Sequence, residues 1–130
     1  MPKKISPSQA MIDLQKRKHS IPVNEGKAMI KKFKAFRKEL AYVKANDGGM
    51  LENIPDLPIA TSFNKKAIAK LIKSADCVGI RVNYGIGSDD TLRLILEGLN
   101  AEGNVIVTTS SDGKPGGTVV DEGQQSPPYP

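Results

Sequence analysis

The sequence predicts a two-layer α+β fold, in which two to three N-terminal helices pack on one face of a 3–4-stranded antiparallel sheet. Three observations favour it. In the first half of the chain, apolar residues recur every three or four positions, which is typical of amphipathic helices. From residue 78 onward they alternate with other residues, which is typical of half-buried strands. Short turns join the alternating segments, and this indicates antiparallel neighbours.

The size of the chain, 130 residues, is usual for one domain. We predict a single domain over residues 1–125, with residues 1–20 as a loosely docked helical arm and 126–130 as an extended proline-rich tail. No apolar stretch is long enough to cross a membrane, and no apolar region follows the first lysines. A cytoplasmic protein is therefore expected. The single cysteine, Cys77, excludes an intramolecular disulfide.

Three helices are predicted from their start and stop signals. They run from Ser6 to about His19, over residues 24–44, and from Ser62 or Asn64 to Asp76. The first start is a capping pattern, because the Ser6 hydroxyl can accept a hydrogen bond while Pro7 fits the first helical position. The second helix is expected to end at Asn46-Asp47-Gly48-Gly49. Residues 50–62, which contain two prolines, are expected to form a loop.

The second helix is amphipathic and has a basic outer face. Its apolar residues are spaced four, three, four and three positions apart and share one stripe: Met29, Phe33, Phe36, Leu40 and Val43. Four lysines fall on the opposite side: Lys27, Lys31, Lys34 and Lys38. Residues 1–44 contain 12 of the 19 Lys and Arg and only 3 of the 14 Asp and Glu. Such asymmetry is compatible with an anionic partner and also with a solvated helix surface.

The sheet begins with an antiparallel hairpin. Its first strand carries Val78, Ile80, Val82 and Tyr84 on one face, and its second carries Leu92, Leu94 and Leu96. The loop 85–90 connects them. Beyond it, the sequence predicts a third strand over 105–109, a flexible loop over 110–117 and a short edge strand over 118–121.

Catalytic, metal and cofactor sites find little support in the residue types present. His19 is the only histidine and lies beside Arg17 and Lys18, so neither a zinc site nor a catalytic triad is indicated. The glycine-rich loop 85–90 is followed by a strand, whereas a dinucleotide loop leads into a helix. No metal and no cofactor are expected, and a non-catalytic function is favoured over an enzymatic one.

Three functional hypotheses remain open. The first is a protein-interaction or accessory module, which binds a protein partner or forms a homodimer through the polar face of the sheet: Arg81, Asn83, Arg93 and Glu97. The second is binding of nucleic acid or another polyanion by the basic helix 24–44, through the four lysines named above. The third is a small-ligand or enzymatic pocket between helices and sheet, with Tyr84, Arg81 and Asp90 as candidates. None of the three involves a membrane.

Four segments of the chain resemble a family of short bacterial proteins of unknown function. They are Ile21-Pro22-Val23-Asn24-Glu25 before the basic helix, Cys77-Val78-Gly79-Ile80-Arg81, residues 96–104 and Asp121-Glu122-Gly123. The resemblance covers about residues 20–130 and implies the α+β fold without an activity. Family tails often carry two cysteines around a Pro-Pro core, where this chain has Ser126 and Pro130 around Pro127-Pro128. The resemblance thus implies that no metal or disulfide role of the tail applies to this chain.

Overall fold

The structure, a computed structural model, describes residues 4–106 and 123–126. Within them the chain forms three helices and four strands. In chain order these are α1 Pro7–Lys16, α2 Val23–Ala45, β1 Ala60–Ser62, α3 Lys65–Ile72, β2 Gly79–Ile86, β3 Leu92–Leu99 and β4 Gln124–Ser126. None of the helices in this part of the chain is long and apolar enough to cross a membrane.

The predicted α+β class is confirmed, with helices ahead of most strands. The described strands form two antiparallel two-stranded sheets, β2 with β3 and β1 with β4, where the sequence predicts one sheet of three or four. The strand β1 lies in residues 50–62, which were expected to be loop throughout. Its partner β4 lies more than sixty residues away, and such a distant pairing leaves no local sequence signal.

The helix starts follow the predicted capping. Ser6 accepts a hydrogen bond from the Gln9 amide at 3.2 Å, and Asn64 accepts one from the Ala67 amide at 2.7 Å. The α2 helix begins after Pro22 without a side-chain cap. It stops where predicted, because Gly48 and Gly49 adopt positive φ angles of 70° and 87°.

The chain divides into two compact units. Of the described residues, 4–18, 63–85, 94–106 and 123 belong to the first unit, and 19–62, 86–93 and 124–126 to the second. The single domain predicted over 1–125 stays a prediction.

The first unit contains the buried apolar side chains Met11, Leu96 and Leu99. Its α3 helix packs closely on β3, since a Cβ atom added at Gly98 would lie 3.1 Å from the Leu71 carbonyl oxygen. The α1 helix contributes Leu14, whose side chain occupies the space beside Gly79 at the start of β2. Gly79 and Gly98 therefore leave room for α1 and α3 to pack against the strands.

The second unit is organised around the segment 54–59. Arg37 of α2 donates to the Leu57 carbonyl, and Lys44 donates to the Ile54 carbonyl at 2.6 Å. The Leu92 amide donates to the Asp56 carbonyl at 2.9 Å, and the Ile59 amide donates to the Ser126 carbonyl at 2.7 Å. Backbone polar groups of an irregular segment are thus satisfied by the elements around it.

The α2 helix turns a different face inward from the one its apolar pattern predicts. The half-buried residues are Gly26, Phe33, Arg37, Leu40 and Lys44. Phe33 and Leu40 belong to the predicted stripe, but Met29, Phe36 and Val43 are 61%, 53% and 43% exposed. Arg37 and Lys44 lie on the inner face because they donate hydrogen bonds to carbonyls of segment 54–59. In this orientation of the helix, Met29, Phe36 and Val43 lie on its exposed side.

Several predicted features lie outside the described residues. They are the loop 110–117, the edge strand 118–121 and the tail from Pro127 to Pro130. Of the third strand predicted over 105–109, only the first two residues are described. Val105 forms an antiparallel bridge with Leu99, and the Ile106 amide donates to the Gly98 carbonyl at 2.9 Å.

Candidate functional site

The hairpin turn sets the alternation of β2. The Asp90 amide donates to the Gly87 carbonyl at 3.0 Å, and the Gly87 amide donates to the Thr91 carbonyl at 3.0 Å. Asp90 has a φ of 58°, so the turn is a three-residue loop that ends in a left-handed residue. The turn therefore fixes which residues of the two strands begin the pairing.

The pairing of β2 with β3 is irregular near the open end of the hairpin. At the open end of the hairpin, the Val78 amide donates to the Leu99 carbonyl at 2.9 Å. Between this bond and the one at Gly87, β2 contains one residue more than β3. An extra residue on one strand moves all residues beyond it to the other face. Arg81 and Asn83 both contact Glu97, so the alternation of β2 is regular from Arg81 onward and the extra residue precedes it.

The expectation that Val82 and Tyr84 are buried together with Val78 and Ile80 is wrong. Val82 is 46% exposed and Tyr84 is 78% exposed, whereas Val78 and Ile80 are half-buried. We call Val82 and Tyr84 the β2 stripe. Strand periodicity groups residues by face but does not show how much of that face other elements cover, so it could not reveal this surface.

The opposite face of the hairpin holds a polar cluster. Asn83 donates hydrogen bonds from its side-chain amide to the Glu97 carboxylate and to the Ile95 carbonyl, the latter at 3.3 Å. Arg81 lies 3.5 Å from the same carboxylate. The Glu97 side chain is 18% exposed and that of Arg81 is 48% exposed. Three of the four residues predicted for partner binding are thus brought together, but largely bonded to one another.

The fourth residue, Arg93, belongs to the second unit and is bonded elsewhere. Its guanidinium lies 3.2 Å from the Asp89 carboxylate. Partial desolvation acts to raise the pKa of Asp89, but the Thr91 amide and the Arg93 charge outweigh it, so the pKa lies below its ordinary value. Arg93 thus stabilises the charged turn.

The four lysines predicted for polyanion binding are all exposed on one side of α2. At roughly 100° per residue, Lys27, Lys31, Lys34 and Lys38 fall within one face of the helix. The acidic residues of α2, Glu25 and Glu39, project from a different side by the same arithmetic. The lysine face is therefore a strip of positive charge in contact with solvent.

The second unit also contains an open cavity of about 500 Å³. It is lined mainly by α2 and segment 54–59, together with Asp89, Thr91 and Gln125. Its two cations already bond to the protein, because Arg37 and Lys44 donate to backbone carbonyls and Lys44 lies 3.7 Å from Asp56. None of Tyr84, Arg81 and Asp90, the residues predicted for a pocket, lines this cavity.

Cys77 has an ordinary structural role in the first unit. It is half-buried, and its thiol donates to the Gly79 carbonyl at 3.3 Å. His19 is exposed in the second unit. Across residues 4–106 and 123–126, no group of three or more His, Cys, Asp and Glu side chains is placed to hold a metal ion.

A scan against protein-family models and searches of curated proteins and solved structures found no match. The resemblance to a bacterial family therefore stays a prediction.

Proposed function

We propose that the protein is a non-catalytic protein-interaction module and that the β2 stripe is its contact surface. The observation that carries the proposal is the exposure of Tyr84, at 78%, beside the 46% exposed Val82. Aromatic side chains are enriched in protein interfaces, where they bury a large area at little cost in conformational entropy. Arg81 is half-exposed on the other face of the hairpin and adds a charge to the same strand.

The partner surface that fits this site is an extended segment of another protein. Among the described residues, β2 pairs only with β3, so its second edge has backbone groups that a further strand can pair with. An added strand would bond to this edge and place apolar side chains on Val82 and Tyr84. An acidic residue on the other face of the added strand would meet Arg81.

A matched pair of tyrosine variants tests the proposal. Tyr42 is 71% exposed on α2 and serves as the control for Tyr84. A protein captured from the native host would be purified and titrated against the wild type, Tyr84→Asp and Tyr42→Asp. We expect Tyr84→Asp to weaken binding by about tenfold or more, the range of an interface hot spot, and Tyr42→Asp to leave it unchanged. Equal affinities of all three proteins, or the lack of any stoichiometric partner, would overturn the proposal.

Polyanion binding is a second candidate function, favoured by the uninterrupted exposure of the four α2 lysines. Replacing all four with Gln should flatten the salt dependence of binding to a mixed oligonucleotide, by about 0.9 in log–log slope for each phosphate that is no longer neutralised. The matched control replaces four exposed lysines in α3 and at its C-cap, which are Lys65, Lys66, Lys70 and Lys73. Wild-type protein that does not bind at low salt, or equal losses in both variants, would exclude this function.

A further inference from the structure

The α2 helix carries a second exposed apolar surface, on the opposite side from the lysine face. Met29, Phe36 and Val43 are 61%, 53% and 43% exposed. They are seven residues apart, so they form a nearly straight line along one side of the helix. We call them the α2 stripe. Its length, about 21 Å at 1.5 Å per residue, is enough for two helices to pack side by side.

Charges of opposite sign flank the α2 stripe on one side. Lys32 lies between Met29 and Phe36, and Glu39 lies between Phe36 and Val43; both are exposed. No residue three or four positions from either of them is charged, so neither has an ion-pair partner at helical spacing on α2. The two charges are seven residues apart, and this places them symmetrically about a point beside Phe36.

We propose that the protein forms a homodimer through α2, with the two helices antiparallel and centred on Phe36. In this arrangement Phe36 meets its own copy, and Met29 of each chain meets Val43 of the other. The same flank of both helices comes together, as in any antiparallel pair. Measured along the helix axis, Lys32 of one chain and Glu39 of the other are then offset by only about 1.5 Å. The dimer thus contains two reciprocal ion pairs.

The charges select this orientation over the parallel one. In a parallel pair, Lys32 of one chain would not lie beside Glu39 of the other, so the two reciprocal ion pairs would be lost. In either orientation the lysine faces point outward, so their positive charges stay apart and solvated. The dimer rests on the proposed function, because it names a second copy of the chain as one protein partner. Its contact surface is α2 and not β2, so the dimer and the β2 contact surface can each fail independently.

Charge reversal tests the dimer, because each single variant disfavours its own homodimer and favours the mixed one. In the Lys32→Glu variant, positions 32 and 39 are both acidic, and in the Glu39→Lys variant both are basic. We expect either change to weaken the homodimer by about tenfold or more. The double variant Lys32→Glu/Glu39→Lys should dimerise as the wild type does. A mixture of the two single variants should form heterodimers, because both ion pairs are attractive again.

The measurement is sedimentation equilibrium from about 10 μM to about 1 mM, since an interface of this size is at the weak end of specific association. Lys31→Glu makes the same charge change on the far side of α2 and should leave the dimer intact, and circular dichroism checks that each variant is folded. Tyr84→Asp should also dimerise, which separates this surface from β2. A wild type that is monomeric throughout this range would overturn the dimer. Protection of Met29 from oxidation in the monomer would also overturn it, because another part of the chain would then cover the α2 stripe. Single variants that dimerise like the wild type, or that do not associate when mixed, would overturn the antiparallel geometry.

Discussion

Asn83 donates its side-chain amide to the Glu97 carboxylate, across the ribbon formed by β2 and β3. The second bond of the Asn83 amide, to the Ile95 carbonyl, fixes the orientation of the side chain. Glu97 is only 18% exposed, so water can replace Asn83 only in part. The Asn83–Glu97 hydrogen bond therefore links β2 to β3 on the polar face of the hairpin.

Asn83→Ala is expected to lower the free energy of unfolding by about 1–2 kcal/mol, because the half-buried carboxylate loses a donor. Asn83→Asp should cost more at neutral pH, since it places two carboxylates side by side, and should recover part of this loss in acid. Urea denaturation measures both changes. Arg81→Gln is the control: its long ion-pair distance and exposed side chain predict a change within about 0.5 kcal/mol. Equal effects of all three substitutions would show that the bond has no special role.

Asp90 occupies a left-handed position that favours glycine, with a φ of 58°. Asp90→Val should therefore destabilise the protein by about 1–2 kcal/mol, because a β-branched side chain clashes with the backbone in this region. Asp90→Gly should be neutral or slightly stabilising, as the relief of strain offsets the greater freedom of the unfolded chain. Thermal unfolding compares the two variants. A valine that is tolerated as well as glycine would contradict the turn described here.

The Asp89 carboxylate should contribute stability that depends on pH. Its pKa in the folded protein lies below the ordinary value of 3.8. The contribution is therefore complete above that value and is lost as the pH falls through the lowered folded pKa. Asp89→Asn should destabilise the protein near neutrality, and the difference from the wild type should vanish in strong acid. Denaturation curves over a pH series check this, and a difference that stays constant with pH would rule it out.

Two glycine-to-alanine substitutions should change stability in opposite directions. At Gly98 the new Cβ atom would lie 3.1 Å from the Leu71 carbonyl oxygen, so Gly98→Ala should cost about 1–3 kcal/mol. At Gly26, inside α2, the nearest atom is 3.6 Å away, and Gly26→Ala should stabilise the protein by up to about 1 kcal/mol. The midpoint of urea denaturation compares them. A harmless Gly98→Ala would mean that α3 and β3 are less closely packed.

The sequence predicts the elements that depend on local chemistry. Ser6 and Asn64 mark helix starts because their side chains bond to amides three residues later, and Gly48 and Gly49 end α2 through their positive φ angles. These interactions involve neighbours in sequence, so the pattern of residues contains them. The lysine face of α2 follows in the same way from helical periodicity.

The features that the sequence does not predict depend on distant residues. Arg37 and Lys44 turn inward because carbonyls of segment 54–59 accept their hydrogen bonds, and this exposes Met29, Phe36 and Val43. Val82 and Tyr84 are 46% and 78% exposed, although β2 alternates regularly from Arg81 onward. Hydrophobic alternation assigns residues to a face but does not show how much of that face tertiary packing covers. Both candidate contact surfaces arise from these departures.

Hydroxyl-radical footprinting of Tyr84 tests the proposed contact surface most directly. In the purified protein, Tyr84 and Tyr42 are both largely exposed and should be modified at similar rates. After addition of the purified host partner, we expect Tyr84 to become protected while Tyr42 keeps its rate of modification. Protection of Tyr42 alone, or an unchanged rate at Tyr84 in the saturated complex, would contradict the assignment of β2 as the binding surface.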